Sequence, residues 1–231
     1  MKEDECIGLE TFDKIWEEIH QEQDWGKYPA EEVIRFVARN YYRRDRKATR
    51  LLDAGCGAGA VVWYMAREGF DAFGFDGSAT AVRKAQNRLA DEGLYAKLMV
   101  CDAAKMNYES EYFDGIVDSA MIYGNTTENI KAILREFYRV LKKSGRIFST
   151  GLFKAGMTGY QTGVKLEENT YRELTEGSLT HRGTVHFFNQ MEAVNLWEKA
   201  GFTNIQIDSL DRTEMGGRLR VSYYMIEAEK G

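Results

Sequence analysis

The sequence predicts an α/β fold: a seven-stranded, mostly parallel sheet with helices on both faces, an antiparallel C-terminal hairpin and an N-terminal helical lid. Three observations carry this. From about residue 50, short apolar runs alternate with amphipathic stretches, the pattern of strands joined by crossover helices. Glycines punctuate the joints: the chain has 22 of them and a single proline. Near the C-terminus, two strand-like runs flank the polar stretch DRTEMGG, which reads as a hairpin.

Leu51–Ala54 is the first strand, a short buried run ending in glycines. Ala58–Glu68 reads as a helix with Val61, Val62 and Met65 inward, stopped by Gly69. Asp71–Phe75 is the second strand. Ser78 is the N-cap expected for the next helix, whose Ala81, Val82, Ala85 and Leu89 keep helical spacing up to Gly93. Tyr95–Cys101 and Phe113–Asp118 are strands three and four. Thr126 or Thr127 opens the clearest helix, striped by Ile130, Ile133, Leu134, Phe137, Val140 and Leu141. Lys142 and Lys143 suit the negative end of its dipole, Gly145 closes it, and Arg146–Leu152 is strand five.

The rhythm then breaks. Gly151, Gly156, Gly159, Gly163, Gly177 and Gly183 crowd a stretch without period, so residues 151–187 read as a cap inserted over the sheet edge. Asn189, with Glu192 three residues on, starts a last helix that Gly201 ends. Ile205–Leu210 and Leu219–Ala228 form the hairpin. Ahead of the sheet, Phe12, Ile15, Trp16 and Ile19 make one helical stripe. Val33, Ile34, Val37 and Tyr41 make another, with Pro29 in its first turn. Residues 1–49 are thus the lid and 50–231 one domain.

Charge and composition narrow the function. The formal net charge is −5, which argues against a broad nucleic-acid-binding surface. No apolar run approaches the ~20 residues of a membrane span, and the acidic start MKEDECIGLE is no secretory signal. Cys6, Cys56 and Cys101 are too scattered for a disulfide framework or a zinc site, so a reduced, cytoplasmic setting is expected. The three histidines lack metal spacing, and no metal is expected.

The most informative segment is LLDAGCGAGA, residues 51–60. A strand that turns into a helix through glycines lets a ligand approach the backbone at the positive helix end. Gly55, Gly57 and Ala60 alone would also fit a dinucleotide site. Asp53 argues against one: a carboxylate two residues before the first glycine repels a pyrophosphate but attracts a cation. The block resembles the first motif of the class I S-adenosylmethionine-dependent methyltransferases, whose cofactor carries a sulfonium and an ammonium and no phosphate.

The resemblance covers about residues 50–228 and implies a Rossmann-like fold and S-adenosylmethionine as cofactor, with S-adenosylhomocysteine as product. It implies that Asp53, Gly55, Cys56 and Gly57 form the cofactor turn. Asp76, with Gly77 and Ser78, resembles the ribose-binding acid. Asp102 and Ala103 resemble the adenine edge. The block FDGIVDSAMIYGN, with Asp118 and Ser119, resembles the motif that faces the transferred methyl. WGKYP together with TGLF, LEENTY and TVHFF resembles a bacterial methyltransferase subgroup of unassigned substrate. Trp25 and Tyr28, in the turn joining the lid helices, are expected to cover the cofactor. Tyr123 and Asn125, and His181 or His186, are expected to face the acceptor, with Tyr123 and His186 named as catalytic. The expected partner is a small-molecule acceptor, with the chain a monomer or a homodimer. The alternatives are an RNA or protein methyltransferase that uses the basic cluster at residues 42–47, a non-catalytic cofactor-binding module, and a dehydrogenase.

Overall fold

The structure, a computed structural model, describes residues 10–231; Cys6 and most of the acidic start lie outside them. The central sheet has seven strands: β1 (Arg50–Ala54), β2 (Asp71–Asp76), β3 (Lys97–Val100), β4 (Phe113–Ser119), β5 (Leu141–Phe153), and, after three short strands of the insertion, β9 (Phe202–Glu214) and β10 (Leu219–Lys230). Their spatial order is β3-β2-β1-β4-β5-β10-β9. The first five are parallel, and β10 runs antiparallel to both β5 and β9. The expected fold class is therefore the observed one.

Alternation along the strands builds a core on each face. Leu51, Val117 and Phe148 point to a cluster with Val33, Phe36 and Val37 of α2 (Glu31–Tyr41) and Val61, Val62 and Met65 of α3 (Ala60–Arg67). Their neighbours Leu52, Ile116 and Ile147 point the other way. There they meet Ile130, Ile133, Leu134 and Phe137 of α5 (Thr127–Val140) and Trp197 of α6 (Gln190–Ala200). A one-residue slip in any strand would exchange the two cores.

The caps fall where the residue types place them. Ser78 opens α4 (Ala79–Ala90) by accepting from Ala81 N at 3.0 Å. Thr126 and Asn189 cap α5 and α6 in the same way. Three expectations need correction. α5 stops at Val140 and β5 starts at once, so Lys142 lies in the strand and binds Asp114, and Gly145 is a strand residue and no helix stop. Pro29 stands one residue before the N-cap of α2, Ala30. β9 continues to Glu214, so the hairpin turn is shorter than DRTEMGG.

The glycine-rich insertion is ordered as a three-stranded antiparallel sheet, β6 (Val164–Glu167), β7 (Thr170–Arg172) and β8 (Thr184–His186). α1 (Ile15–Glu22) and residues 10–14 lie between this sheet and α4. Asp13 accepts from Thr184 N and Oγ1, Arg182 reaches Gln23, and Glu17 accepts from Ser78 Oγ and Thr80 Oγ1. Among the described residues no helix is long and apolar enough to cross a membrane.

Candidate functional site

A cavity of about 530 Å³ opens over the C-terminal ends of β1, β2, β4 and β5. Parallel sheets place ligands at this crevice, where the strand order reverses; here the reversal falls between β1 and β4.

The glycine turn forms its floor. Gly59 has φ +89° at the N-cap of α3, and a Cβ there would lie 2.8 Å from the Ala85 Cβ. Only glycine lets α3 leave the strand so close to α4. Asp53 is buried beneath the turn, lines the cavity, and accepts from Val62 N at 2.8 Å. Burial pushes its carboxyl up to about 8 against the Val62 bond, with the Asp76 and Asp118 charges adding to the rise. A cation placed on this turn would reverse that shift.

Asp76 closes β2 with both oxygens braced: Oδ2 accepts from Gly57 N and Oδ1 from Ser78 N, each at 2.8 Å. Burial raises its pKa despite these bonds and the nearby His20. Each carboxylate oxygen keeps a second lone pair for a ligand hydroxyl. Gly77 faces the cavity, and a Cβ there would overlap the Phe12 ring, so the N-terminal segment supplies the side chain this position lacks.

The other expected site residues separate into lining and support. Gly55, Cys56, Gly57, Ala103, Ser119, Tyr123 and Trp25 line the cavity. Ser78, Asp102 and Asp118 do not. Ser78 is consumed in capping α4 and in donating to Glu17. Asp102 holds Thr11, with Thr11 N and Oγ1 donating to its two oxygens at 2.8 Å each. Asp118 is fully buried behind Ser119, where Oδ1 accepts from Met121 N and Ile122 N and burial raises its carboxyl to about 6. It shapes the turn that carries Met121 and Tyr123.

Two expectations do not hold. Tyr28 is 72% exposed and packs edge-on against Trp63, away from the cavity. His186 is wholly buried in β8, its Nδ1 paired with Thr170 Oγ1 at 2.7 Å. Its Nε2 lies 3.3 Å from Glu192 Oε1 without the alignment of a hydrogen bond. It holds the inserted sheet to the start of α6 and faces no acceptor. His181 is exposed and lines nothing.

The far end of the cavity is aromatic. Tyr123 stands edge-on to Phe153 at 4.8 Å and to Trp16 at 6.5 Å, and burial raises its phenol pKa. Glu32, from the first turn of α2, accepts from Thr150 Oγ1 and Tyr223 OH at 3.0 Å each. Burial and Glu32 push the Tyr223 phenol up to about 12. Arg182 of the insertion lies over the Trp25 ring at 4.7 Å. Glu32, His20, Phe12 and Arg182 were invisible as site residues in the sequence because distant elements deliver them. His20 had one local hint, a polar residue one step beyond the apolar stripe of α1.

The fold and the acidic glycine turn are those of the class I S-adenosylmethionine-dependent methyltransferases, and the comparisons agree with that likeness. The family model described as a methyltransferase domain matches residues 51–145. A 2-heptyl-1-hydroxyquinolin-4(1H)-one methyltransferase of Mycobacteroides abscessus is 30% identical over 48% of this chain and 45% of its own length. A ubiquinone biosynthesis O-methyltransferase of Methylobacterium nodulans is 27% identical over 84% of this chain and 80% of its own. The fold matches that of a methyltransferase from Methanosarcina mazei with a TM-score of 0.69 at 20% identity, covering 88% of this chain and 99% of that one. The chain spans about half or less of the length of that hydroxyquinolone methyltransferase and of several other curated relatives it matches.

Proposed function

We propose that the protein transfers a methyl group from S-adenosylmethionine to a nitrogen or oxygen of a small-molecule acceptor by in-line displacement. The observation that carries this is one cavity with two unlike ends: a glycine turn flanked by Asp53 and Asp76, and an aromatic chamber of Tyr123, Phe153 and Tyr223 beside Glu32. The two named relatives, a hydroxyquinolone methyltransferase and an O-methyltransferase of ubiquinone biosynthesis, point in the same direction.

The residues fit the cofactor. Gly55 and Gly57 line the cavity with bare backbone, packed on their Cβ sides by Met121 and His20, Asp53 offers a buried negative charge to an ammonium, and Asp76 offers braced oxygens to ribose hydroxyls. When bound, S-adenosylmethionine supplies an electrophilic methyl group on a sulfonium. The chain's own work is positioning and exclusion of water, worth up to ~7–11 kcal/mol for ideal alignment. Trp16, Trp25 and Arg182 close the cavity from the lid and the cap. Tyr123 and Phe153 flank the acceptor. Glu32, already accepting two hydroxyls, is placed to accept a third hydrogen bond from an acceptor O–H or N–H.

The position of the basic cluster does not favour the nucleic-acid alternative. None of residues 42–47 lines the chamber, and Arg46 is engaged with Glu68 and the rings of Tyr42 and Phe70. The test is calorimetric titration with S-adenosylmethionine and S-adenosylhomocysteine, then transfer of labelled methyl to a metabolite extract. Binding with methylated small molecules supports the reading. Absence of binding by folded protein ends it, and binding without any methylated product leaves a cofactor-binding module.

A further inference from the structure

α1 carries a buried histidine that the proposed chemistry does not use. We infer that His20 is a cofactor-binding residue, its imidazole hydrogen-bonding the ribose of the bound cofactor; this rests on the methyltransferase reading. Its ring is 6% exposed, lines the cavity, and packs 6.2 Å from both Trp16 and Trp25. Among the described residues, Nδ1 is sealed from solvent and meets no hydrogen-bond partner. Nε2, on the ring edge nearer the glycine turn, has no hydrogen-bond partner among the described residues either, and an unpaired ring nitrogen bordering a ligand cavity is a place for a ligand group.

Position narrows which group. A Cβ on Gly57 would lie 3.5 Å from His20 Cε1 and 3.9 Å from Nε2, so the imidazole edge faces the glycine turn. The Gly57 N–H is bound to Asp76 Oδ2, which places His20 and the expected ribose acid on one patch of the wall. A ribose presents adjacent hydroxyls, each both donor and acceptor, and a carboxylate beside an imidazole complements such a pair. Burial, with Lys84 and Arg182, lowers the His20 pKa against the pull of Asp76 and Glu17. The neutral ring then offers one donor and one acceptor.

The helix that carries His20 is held in register along the same wall. Glu17, one turn earlier, binds Ser78 and Thr80; Thr11 binds Asp102, and Phe12 covers Gly77. Each anchor lies at the end of β2 or β3, where the adenosine half of the cofactor is expected. The lid thus supplies one side of the cofactor site rather than a loose cover.

The competing account is that His20 only fills space between two tryptophans. Titrating adenosine, 2′,3′-dideoxyadenosine and S-adenosylhomocysteine into wild type, His20→Phe and His20→Gln separates the two. His20→Phe keeps an aromatic ring between the tryptophans and removes both nitrogens. It is expected to weaken adenosine and S-adenosylhomocysteine alike, by about 5–30-fold for one hydrogen bond in a buried site, and to leave dideoxyadenosine unchanged. His20→Gln should recover part of the loss, and if the Phe variant proves misfolded the same ratio is read from Gln. Equal loss for adenosine and its dideoxy analogue, or no loss at all, overturns the assignment. A wild type that binds none of the three overturns the methyltransferase reading itself.

Discussion

The wall of the cavity built by the sheet and the wall built by residues 10–30 with 151–187 obey different rules. On the sheet side, the groups that matter sit at strand ends. Asp53, Asp76 and the glycine turn are fixed by backbone geometry and by bonds spanning a few to about twenty residues. On the lid side, each contact joins segments far apart in the chain: Thr11 to Asp102, Asp13 to Thr184, Glu17 to Ser78 and Thr80, Arg182 to Gln23. The first wall exists as soon as the sheet folds. The second needs two peripheral segments to dock, so it is the wall expected to open first if either opens alone.

The largest test of this contrast is Gly59→Val. The side chain would sit at φ +89° and collide with the Ala85 Cβ and Cα, so about 3 kcal/mol or more of global stability should be lost. Urea unfolding should show the midpoint falling with one cooperative transition. Next is Asp76→Ala, which removes the braced carboxylate. S-adenosylhomocysteine affinity should fall by roughly 1–3 kcal/mol, with the lid contacts unchanged by tryptophan fluorescence. A loss of lid order together with the affinity would mean that the two walls are not separate units.

The sheet wall was legible in the sequence because its signals are local. Strand, glycine turn and helix stripe follow within twenty residues, and the acids stand at strand ends that periodicity locates. The supporting roles of Ser78, Asp102 and Asp118 were less legible, since the same carboxylate or hydroxyl at a strand end serves a ligand or a backbone amide equally well. The inserted sheet was missed because β7 and β8 have three residues each, too few to show a period. His186 misled for a related reason. Nothing near it in the chain announces that Thr170 and Glu192 close around it. Tyr28 sits in the expected turn, but its ring turns out toward Trp63 while Trp25 turns in.

A pH titration sharpens the electrostatic side of the same contrast. The Asp53 carboxyl, raised to about 8 by burial, is mostly protonated at pH 6 and increasingly ionised toward pH 8. The carboxylate is the form that attracts an ammonium, so cofactor affinity should rise across that range, by at most tenfold per pH unit. The sign for the protein alone is the reverse. Its folded value lies above the ordinary one of 3.8, so ionisation costs stability as pH rises toward 8. Asp53→Asn should flatten both slopes; an unchanged affinity slope in that variant would move the titrating group elsewhere.

The smallest effect expected is on the lid anchor. Glu17 is held at about 2, below its ordinary 4.5: partial burial would raise it, but hydrogen bonds from Ser78, Thr80 and Gln21 outweigh this. A depressed folded value contributes stability that is complete above about pH 4.5 and lost as pH falls toward 2. What it stabilises is docking of α1 on the N-terminus of α4, where a carboxylate also meets the positive helix end. Glu17→Gln should therefore weaken docking by about 1 kcal/mol. It should raise proteolytic cleavage within residues 10–30 and leave the urea midpoint of the sheet nearly unmoved. A midpoint that falls as far as cleavage rises would show lid and sheet unfolding as one unit, and the lid could not then open alone to admit cofactor.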